Sequence, residues 1–392
     1  MNLKYKKMSK ELLDEVNKLK KSGLTRKQIK EKLKISRHMV DRCLTEIKIQ
    51  NEFTPIDMDR KINKTKDELK FIKKKYDLAL KEIDELNQSL ALKEALNEVT
   101  KTFKIKSVED ETDSESVAFM IASDWHVEEE VDPSTINGLN EYNLEVAKER
   151  SENFFRNGLE LVRQTGHFTK ISTLVLALLG DLISGYIHDE LVESNECSPT
   201  QATLYVQSLL CSGIDYILEN SDLDLMIPCC YGNHGRTTQK KRHATGYKNS
   251  FEWMMYNNLQ EIYKDNPRVE IIVQNGYHVY VPIFDNFVIR FHHGDNIRYG
   301  GGVGGIFIPI NKAIAQWNKS IKADLDVIGH FHGFKDGGNV IINGSLIGFN
   351  AYATAIKAEY EPPRQAFFLI EKDLGKTIVC PIIVDKDIKK GK

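Results

Sequence analysis

Three stretches, SVAFMIASDWH from residue 116, ISTLVLALLGD from 171 and LDLMIPCCYGNH from 223, run apolar for several residues and then stop at polar ones. A strand covered on both faces reads as such a continuous apolar run, whereas a strand with one wet face alternates. Between these runs, DPSTINGLNEYNLEVAKERSENFFRNGLELVRQT and SPTQATLYVQSLLCSGIDYILEN carry helical periodicity. Further on, VEIIVQNGYHVYVPIFDNFVIRFHHGD alternates like paired strands, and LDVIGHFHGF and NVIINGSLIGF add two more. The pattern predicts a layered α/β body over 117–392. Its polar residues collect at the strand ends, the edge where open α/β sheets build their sites.

The whole chain, at 392 residues, exceeds one average domain. Its 41% hydrophobic and 28% charged residues suit a soluble globular protein, and no apolar run approaches the roughly 20 residues of a membrane span. The first residues, MNLKYKKMSKELL, are basic but lack the apolar stretch of a secretory signal, so a cytoplasmic protein without a membrane partner is expected. Cys43, Cys197, Cys211, Cys229, Cys230 and Cys380 are scattered with no CxxC pair, which favours buried thiols over a zinc ribbon or a disulfide scaffold.

Charge is unevenly spread. Residues 1–50 hold fifteen Lys and Arg against six Asp and Glu, a surplus of +9 that leaves −11 for the remainder of a chain with net charge −2. In that basic end, Ser9, Thr25 and Ser36 stand where N-caps of three short helices belong, and Gly23 closes the first. The short link between the last two forces a steep crossing. LTRKQIKEKLKISRHMVDRCL therefore resembles a helix-turn-helix DNA-binding module (1–50), with Arg37, His38, Asp41 and Arg42 at the front of the recognition helix. A second segment, 60–100, is nearly free of Gly and Pro. Leu69, Ile72, Tyr76, Ala79, Ile83, Leu86 and Leu90 step by threes and fours, the seam of a coiled coil that would make a homodimer. Residues 101–116, ending in VEDETDSES, read as an acidic linker.

Five strand ends of the body supply, in order, Asp124-Trp-His126, Gly180-Asp181, Gly232-Asn233-His234, His293-Gly294 and His330-Phe-His332. Two residues apart on an extended segment, Asp124 and His126 would face one side and grip one ion, as would His330 with His332. A carboxylate such as Asp181 has two oxygens and can bridge two cations about 3.5–4 Å apart, the spacing that clamps both attacking and leaving oxygens of a phosphate ester. Mixed oxygen and imidazole donors suit Mn²⁺, Fe²⁺, Zn²⁺ or Ni²⁺ better than Ca²⁺.

Taken together, the set resembles the calcineurin-like metallophosphoesterase superfamily, whose pattern is DxH, GD, GNH, a His before Gly, and GHxH. The resemblance covers about 117–385. It implies an α/β fold, a four-layer α/β/β/α sandwich with a centre of two divalent cations, Mn²⁺ foremost, at the strand ends. It puts Asp124, His126 and His332 on one cation and Asn233, His293 and His330 on the other, with Asp181 shared. His234 would protonate the leaving oxygen while activated water attacks phosphorus, and Arg236 would face a phosphate oxygen. The chain departs from the pattern in having Gly235 after GNH, no second carboxylate in GDLISG, and His292 as a rival to His293, although the family favours the residue next to Gly. GYIHDELVESN, GNHGRTTQKK and PPRQAFFLIEKDLGK resemble a sub-group met in bacteriophage genomes. Lys240, Lys241, Arg242 and His243 would line a polyanion path. The Gly-rich NIRYGGGVGGIF lacks P-loop spacing and reads as a flap or turn. The combination predicts a metal-dependent phosphodiesterase acting on DNA. Alternatives are an enzyme for phosphoprotein or small nucleotide esters, and a DNA-binding regulator with an inert body.

Overall fold

The computed structural model describes residues 9–52, 55–99, 114–299 and 305–385, with the backbone alone at 52, 55–58 and 88–99. The chain divides into two units, Met1–Val108 and Glu109–Lys392.

The first unit holds four helices, α1 (Lys10–Lys21), α2 (Arg26–Leu33), α3 (Arg37–Glu52) and α4 (Pro55–Val99). Local chemistry sets the ends of the first three. Ser9 Oγ accepts from Leu12 N–H at 3.3 Å, Gln28 Oε1 accepts from Thr25 N–H at 2.9 Å, and Ser36 Oγ accepts from Met39 N–H at 3.1 Å. Only Lys34–Ser36 separate α2 from α3, and Lys34 makes the turn with left-handed backbone at φ 51°. Leu12, Val16, Ile29, Ile35, Met39, Val40 and Cys43 form the small core beneath. Arg37, His38 and Arg42 stand exposed on α3, while Asp41 is paired with Arg26 at 3.5 Å. In α4, Leu69, Ile72, Tyr76, Ile83 and Leu86 are all exposed, and Leu90 lies outside the described side chains. Of the expected linker, 101–113 lies outside the described residues, and Glu115 and Ser116 belong to a strand.

The second unit contains strands β1 (Glu115–Ala122), β2 (Lys170–Leu178), β3 (Asp224–Cys229), β4 (Val269–Val273), β5 (Val279–Ile283), β6 (Phe287–His292), β7 (Leu325–Ile328), β8 (Lys335–Asp336), β9 (Val340–Ile342), β10 (Arg364–Glu371) and β11 (Gly375–Ile383). Its helices are α5 (Leu144–Thr165), α6 (Asp189–Ser194), α7 (Pro199–Asn220), α8 (Phe251–Tyr263), α9 (Phe307–Trp317) and α10 (Ala351–Ala355). One sheet runs β11-β10-β1-β2-β3-β4 and the other β5-β6-β7-β9-β8. Their inner faces meet through Phe119, Ile121, Val175, Phe291, Val327 and Phe368 among others. Outside the first sheet, side chains of α5, α7 and α8 pack onto Met120, Leu176 and Ile227, and outside the second, Ile310 and Ile314 of α9 pack onto Ile328 and Val340. The result is the expected α/β/β/α sandwich.

Two strand expectations need correction. VEIIVQNGYHVYVPIFDNFVIRFHHGD does not form one paired set: β4 lies parallel to β3 at the edge of the first sheet, and only β5 and β6 pair as a hairpin, in the second. In NVIINGSLIGF only Val340–Ile342 is a strand. Beyond it the Asn343 side chain takes over the bonding a ladder would supply, donating to Ser123 Oγ at 2.8 Å and accepting from Ala366 N–H at 2.7 Å.

The Phe119 and Phe368 rings stack between the sheets with centroids 4.4 Å apart, and neither is exposed. Phe368→Ala is expected to destabilise the body by about 3–5 kcal/mol, the usual cost of an emptied aromatic site, read from the urea midpoint of residues 109–392 within the full chain.

Candidate metal centre

Strands β1, β2 and β3 are parallel neighbours, so their carboxyl ends open on one edge; β6 and β7 are parallel neighbours in the facing sheet and end there too. Each strand stops where its functional residues begin. Asp124, His126, Asp181, His330 and His332 all adopt left-handed backbone, with φ of 56°, 47°, 52°, 68° and 55°. The two-residue spacing therefore works through sharp turns and not, as expected, through extended chain. Such turns cost roughly 1 kcal/mol or more per residue and persist only where surrounding bonds impose them. Here they do: Asp124 N–H donates to Gly180 O at 3.0 Å, His126 N–H to Asp181 O at 3.2 Å, and His330 N–H to Asp124 Oδ2 at 2.9 Å. Gly180, at φ +82°, lies so close to the β3 loop that a Cβ would sit 2.2 Å from Gly232 N.

The side chains gather into ion-sized groups. Ligand atoms of Asp124, His126 and His332 lie within 4.8 Å of one another, as do those of Asp181, His293 and His330. A third group, His126, Asp181 and His234, overlaps both. His126 Nε2, Asn233 Oδ1 and His293 Nε2 are buried without a hydrogen-bond partner among the described residues. His293 Nε2 is 2.8 Å from Asp181 Oδ2 but lacks hydrogen-bond geometry. An unsatisfied buried polar atom costs about 1–3 kcal/mol, and His126 Nε2 and His293 Nε2, each within one of these groups, fit cations held there. The remote ring nitrogens are already bonded: His126 Nδ1 to Ser184 Oγ at 2.9 Å and His293 Nδ1 to Leu179 O at 2.7 Å, which aims each Nε2 at the pocket. Burial, aided by His234 and His332, holds His126 well below the ordinary imidazole range, and burial with His293 brings His330 to about 4. Both are thus neutral at pH 7 in the metal-free protein. At His293 burial also works against the proton, but the Asp181 carboxylate outweighs it and pushes the group up to about 10. Cations entering beside Asp181 must displace that proton.

The two candidates for the histidine before Gly294 part company. His293 faces Asp181, whereas His292 turns to Asp326 at 3.4 Å and to the rings of His278 and Trp317. His234 stands at the pocket edge, its ring centroid 4.7 Å from that of His126. Its main-chain N–H donates to Asp181 Oδ1 at 2.7 Å, and Nδ1 meets Ser184 O at 2.9 Å, so a carbonyl orients the ring without an acidic neighbour at 235. Arg236 departs from expectation. Its guanidinium donates to the carbonyls of Asn233, Thr238 and Gln239, because the tight loop leaves those groups otherwise unbonded, and it braces the loop instead of facing a phosphate. Lys241 likewise pairs with Asp295 and donates to Asn296 Oδ1 at 2.6 Å. Lys240, Arg242 and His243 remain exposed. A cavity of about 140 Å³ lies beside Asn233, walled by Arg242, His243 and Tyr277 among others. Of the Gly-rich segment, 300–304 lies outside the described residues.

Sequence reasoning missed Glu252. From α8 its Oε1 accepts from Leu182 N–H and its Oε2 from Gly232 N–H, both at 2.7 Å, so one carboxylate pins the loops bearing Asp181 and Asn233. A glutamate on the apolar face made by Met255, Tyr256 and Leu259 was the available signal. Its Cγ would lie 2.8 Å from a Cβ at position 235, a steric reason for glycine after GNH.

No protein-family model matches the chain, and no curated protein matches it. Among solved structures it is similar to a Staphylococcus aureus protein described as a 5′-nucleotidase (11% identity, 69% of this chain and 55% of that one, TM-score 0.29). It is also similar to the calcineurin-like phosphoesterase YfkN of Bacillus subtilis (9%, 69% and 91%, TM-score 0.26) and to the NAD nucleotidase of Haemophilus influenzae (10%, 69% and 50%, TM-score 0.28). The chain thus spans about half the length of the first and the last. Likenesses of this size carry no weight for activity, which has to be argued from the pocket itself.

Two outcomes are expected. Wild type dialysed against Mn²⁺ retains two ions per chain by elemental analysis, and Asp181→Asn retains fewer than one. In the metal-free protein, burial and then Asp181 push Glu252 from its ordinary 4.5 up to about 8. The folded state then binds more protons than the unfolded one between those values, so stability falls as pH rises from about 4.5 to about 8. Denaturation in EDTA across that range is expected to show a flatter profile for Glu252→Gln, which keeps one of the two N–H bonds but cannot ionise.

Proposed function

We propose that the protein is a metal-dependent phosphodiesterase that cleaves DNA. The observation carrying the phosphoester reading is the pair of ion-sized groups on either side of Asp181, with orphaned buried ligand atoms and His234 beside them. Asp124, His126 and His332 would hold one divalent cation and Asn233, His293 and His330 the other. When bound, such a pair supplies Lewis acidity toward phosphoryl oxygens and activates water. His234 is oriented through Nδ1, leaving Nε2 to hold a proton for the departing oxygen. No helix among the described residues is long and apolar enough to cross a membrane.

DNA as the polymer rests on two supports. Exposed Arg242 and His243 wall the cavity beside Asn233 and Lys240 is exposed in the same loop, so a chain of phosphates would find cations beside the reacting one. The basic first unit offers Arg37, His38 and Arg42 on a helix that follows a three-residue turn, the arrangement of a recognition helix. The seam of α4 would pair two copies and so two such helices. One observation favours a smaller ester: Arg236 and Lys241, two basic residues of the loop after Asn233, are already bonded within the protein.

With Mn²⁺, the protein is expected to nick or degrade DNA, and Lys240→Glu with Arg242→Glu to slow this at least tenfold while leaving turnover of an aryl phosphodiester within twofold. Turnover of the aryl ester without any cleavage of single- or double-stranded DNA would leave a small-ester enzyme. His234→Ala is expected to lower kcat by about 10²–10⁴ with both ions retained.

A further inference from the structure

His126 and His234 have different tasks, yet one residue touches both. Ser184 is fully buried in the loop after Asp181, and each of its polar groups is engaged. Its hydroxyl meets His126 Nδ1 at 2.9 Å and donates to Glu129 Oε2 at 3.1 Å. Its carbonyl accepts from His234 Nδ1 at 2.9 Å. Its N–H donates to Glu128 Oε1 at 2.9 Å, and that same oxygen accepts from Gly185 N–H at 2.8 Å. Glu128 is itself fully buried, and Glu129 is held from its other oxygen by Asn350 Nδ2 at 2.9 Å. The next residue cannot move away independently, since at Gly185, φ +60°, a Cβ would stand 2.4 Å from His234 O.

We propose that Ser184 is a positioning residue that sets the metal ligand and the proton donor in one frame, with Glu129 steadying its hydroxyl and Glu128 its backbone. The two arms are separable. The hydroxyl fixes the tautomer of His126, because Nδ1–H donates to Oγ and leaves the Nε2 lone pair toward the cation. The carbonyl performs the same service for His234, accepting from Nδ1–H so that Nε2 is the nitrogen free to take up and release a proton. Neither arm touches substrate. Glu128 acts at one further remove, since without its carboxylate two buried N–H groups lose their acceptor and the 184–185 segment is free to tilt the carbonyl off the ring.

The inference rests on the phosphoesterase reading for one arm only. Ser184→Ala removes the hydroxyl and keeps the carbonyl, so Mn²⁺ affinity at one of the two sites, measured by equilibrium dialysis without substrate, is expected to fall about 10- to 100-fold while the other is unchanged. Glu128→Ala is expected to lower kcat at least tenfold on an alkyl-leaving diester, which needs protonation, and under threefold on a p-nitrophenyl diester, with KM unchanged. Glu128→Gln retains an oxygen for both N–H groups and is expected to restore the alkyl rate. In the His234→Ala background, Glu128→Ala is expected to cost nothing more. Equal losses on both leaving groups, or additivity with His234→Ala, would overturn the His234 arm. Unchanged Mn²⁺ affinity in Ser184→Ala would overturn the His126 arm, and that variant and Glu128→Gln decide the matter if Glu128→Ala melts early. Wild type that binds Mn²⁺ but turns over neither ester would sink the phosphoesterase reading and leave the dialysis result standing.

Discussion

The pocket depends on how closely the loops leaving β2 and β3 approach each other. Gly180 touches the backbone of Gly232, and Glu252 bonds to both loops from below. A Cβ at Gly180 would stand 2.2 Å from Gly232 N and one at Gly232 would stand 2.1 Å from Asp181 Oδ1, so a side chain at either position forces the two loops apart. This is a backbone contact before it is a side-chain one. It explains why Asp181 and Asn233 each follow a glycine, and why a buried glutamate outside the candidate metal groups governs the spacing of the loops that carry them.

Around that contact the protein concentrates features a folding chain normally avoids. Five residues of the candidate metal groups carry left-handed backbone, two aspartates are buried, and ring nitrogens lack partners among the described residues. Buried carboxylates of like sign raise the free energy of the folded state unless opposite charge is near. In the metal-free protein His293 and His332 supply part of that charge, and both are pushed above their ordinary range by Asp181 and Asp124 despite burial. Divalent cations would supply it more fully and satisfy the orphaned atoms at the same time. The strain thus follows from a rigid body, two sheets locked by Phe119, Phe291 and Phe368, strong enough to hold an arrangement the loops alone would relax.

Much of this was legible in sequence because Asp124, Asp181 and Asn233 sit at the ends of uninterrupted apolar runs. SVAFMIASDWH, ISTLVLALLGD and LDLMIPCCYGNH each mark a strand and its terminus in one stretch, and parallel pairing brings those termini together without further information. What sequence could not convey was contact across distance. The roles of Glu252 and Glu128 arise from bonds to loops 20 to 70 residues away; locally only the apolar helix face around Glu252 sets it apart from a surface glutamate, and Glu128 opens an acidic run that marks it not at all. The division of the 269–292 segment between two sheets was hidden for the same reason, since alternation reports a half-covered strand and not which partner covers it. The β10–β11 hairpin of RQAFFLIE and GKTIVCPII was open to the same reading as the other strands and passed unread.

The basic loop after Asn233 shows why residue type alone misassigns function. Arg236 and Lys241 have the charge a phosphate needs, yet the loop's own geometry claims them: three carbonyls for the guanidinium, Asp295 and Asn296 for the ammonium. A loop that turns this tightly beside a pocket has few backbone partners, so its long side chains become its internal bonds. That makes the loop a wall of fixed shape next to Asn233. The exposed cations of the loop are Lys240, Arg242 and His243, of which Arg242 and His243 wall the cavity beside Asn233. Charge in this loop is thus divided between side chains spent on holding its shape and side chains left exposed, a division that residue type alone does not show.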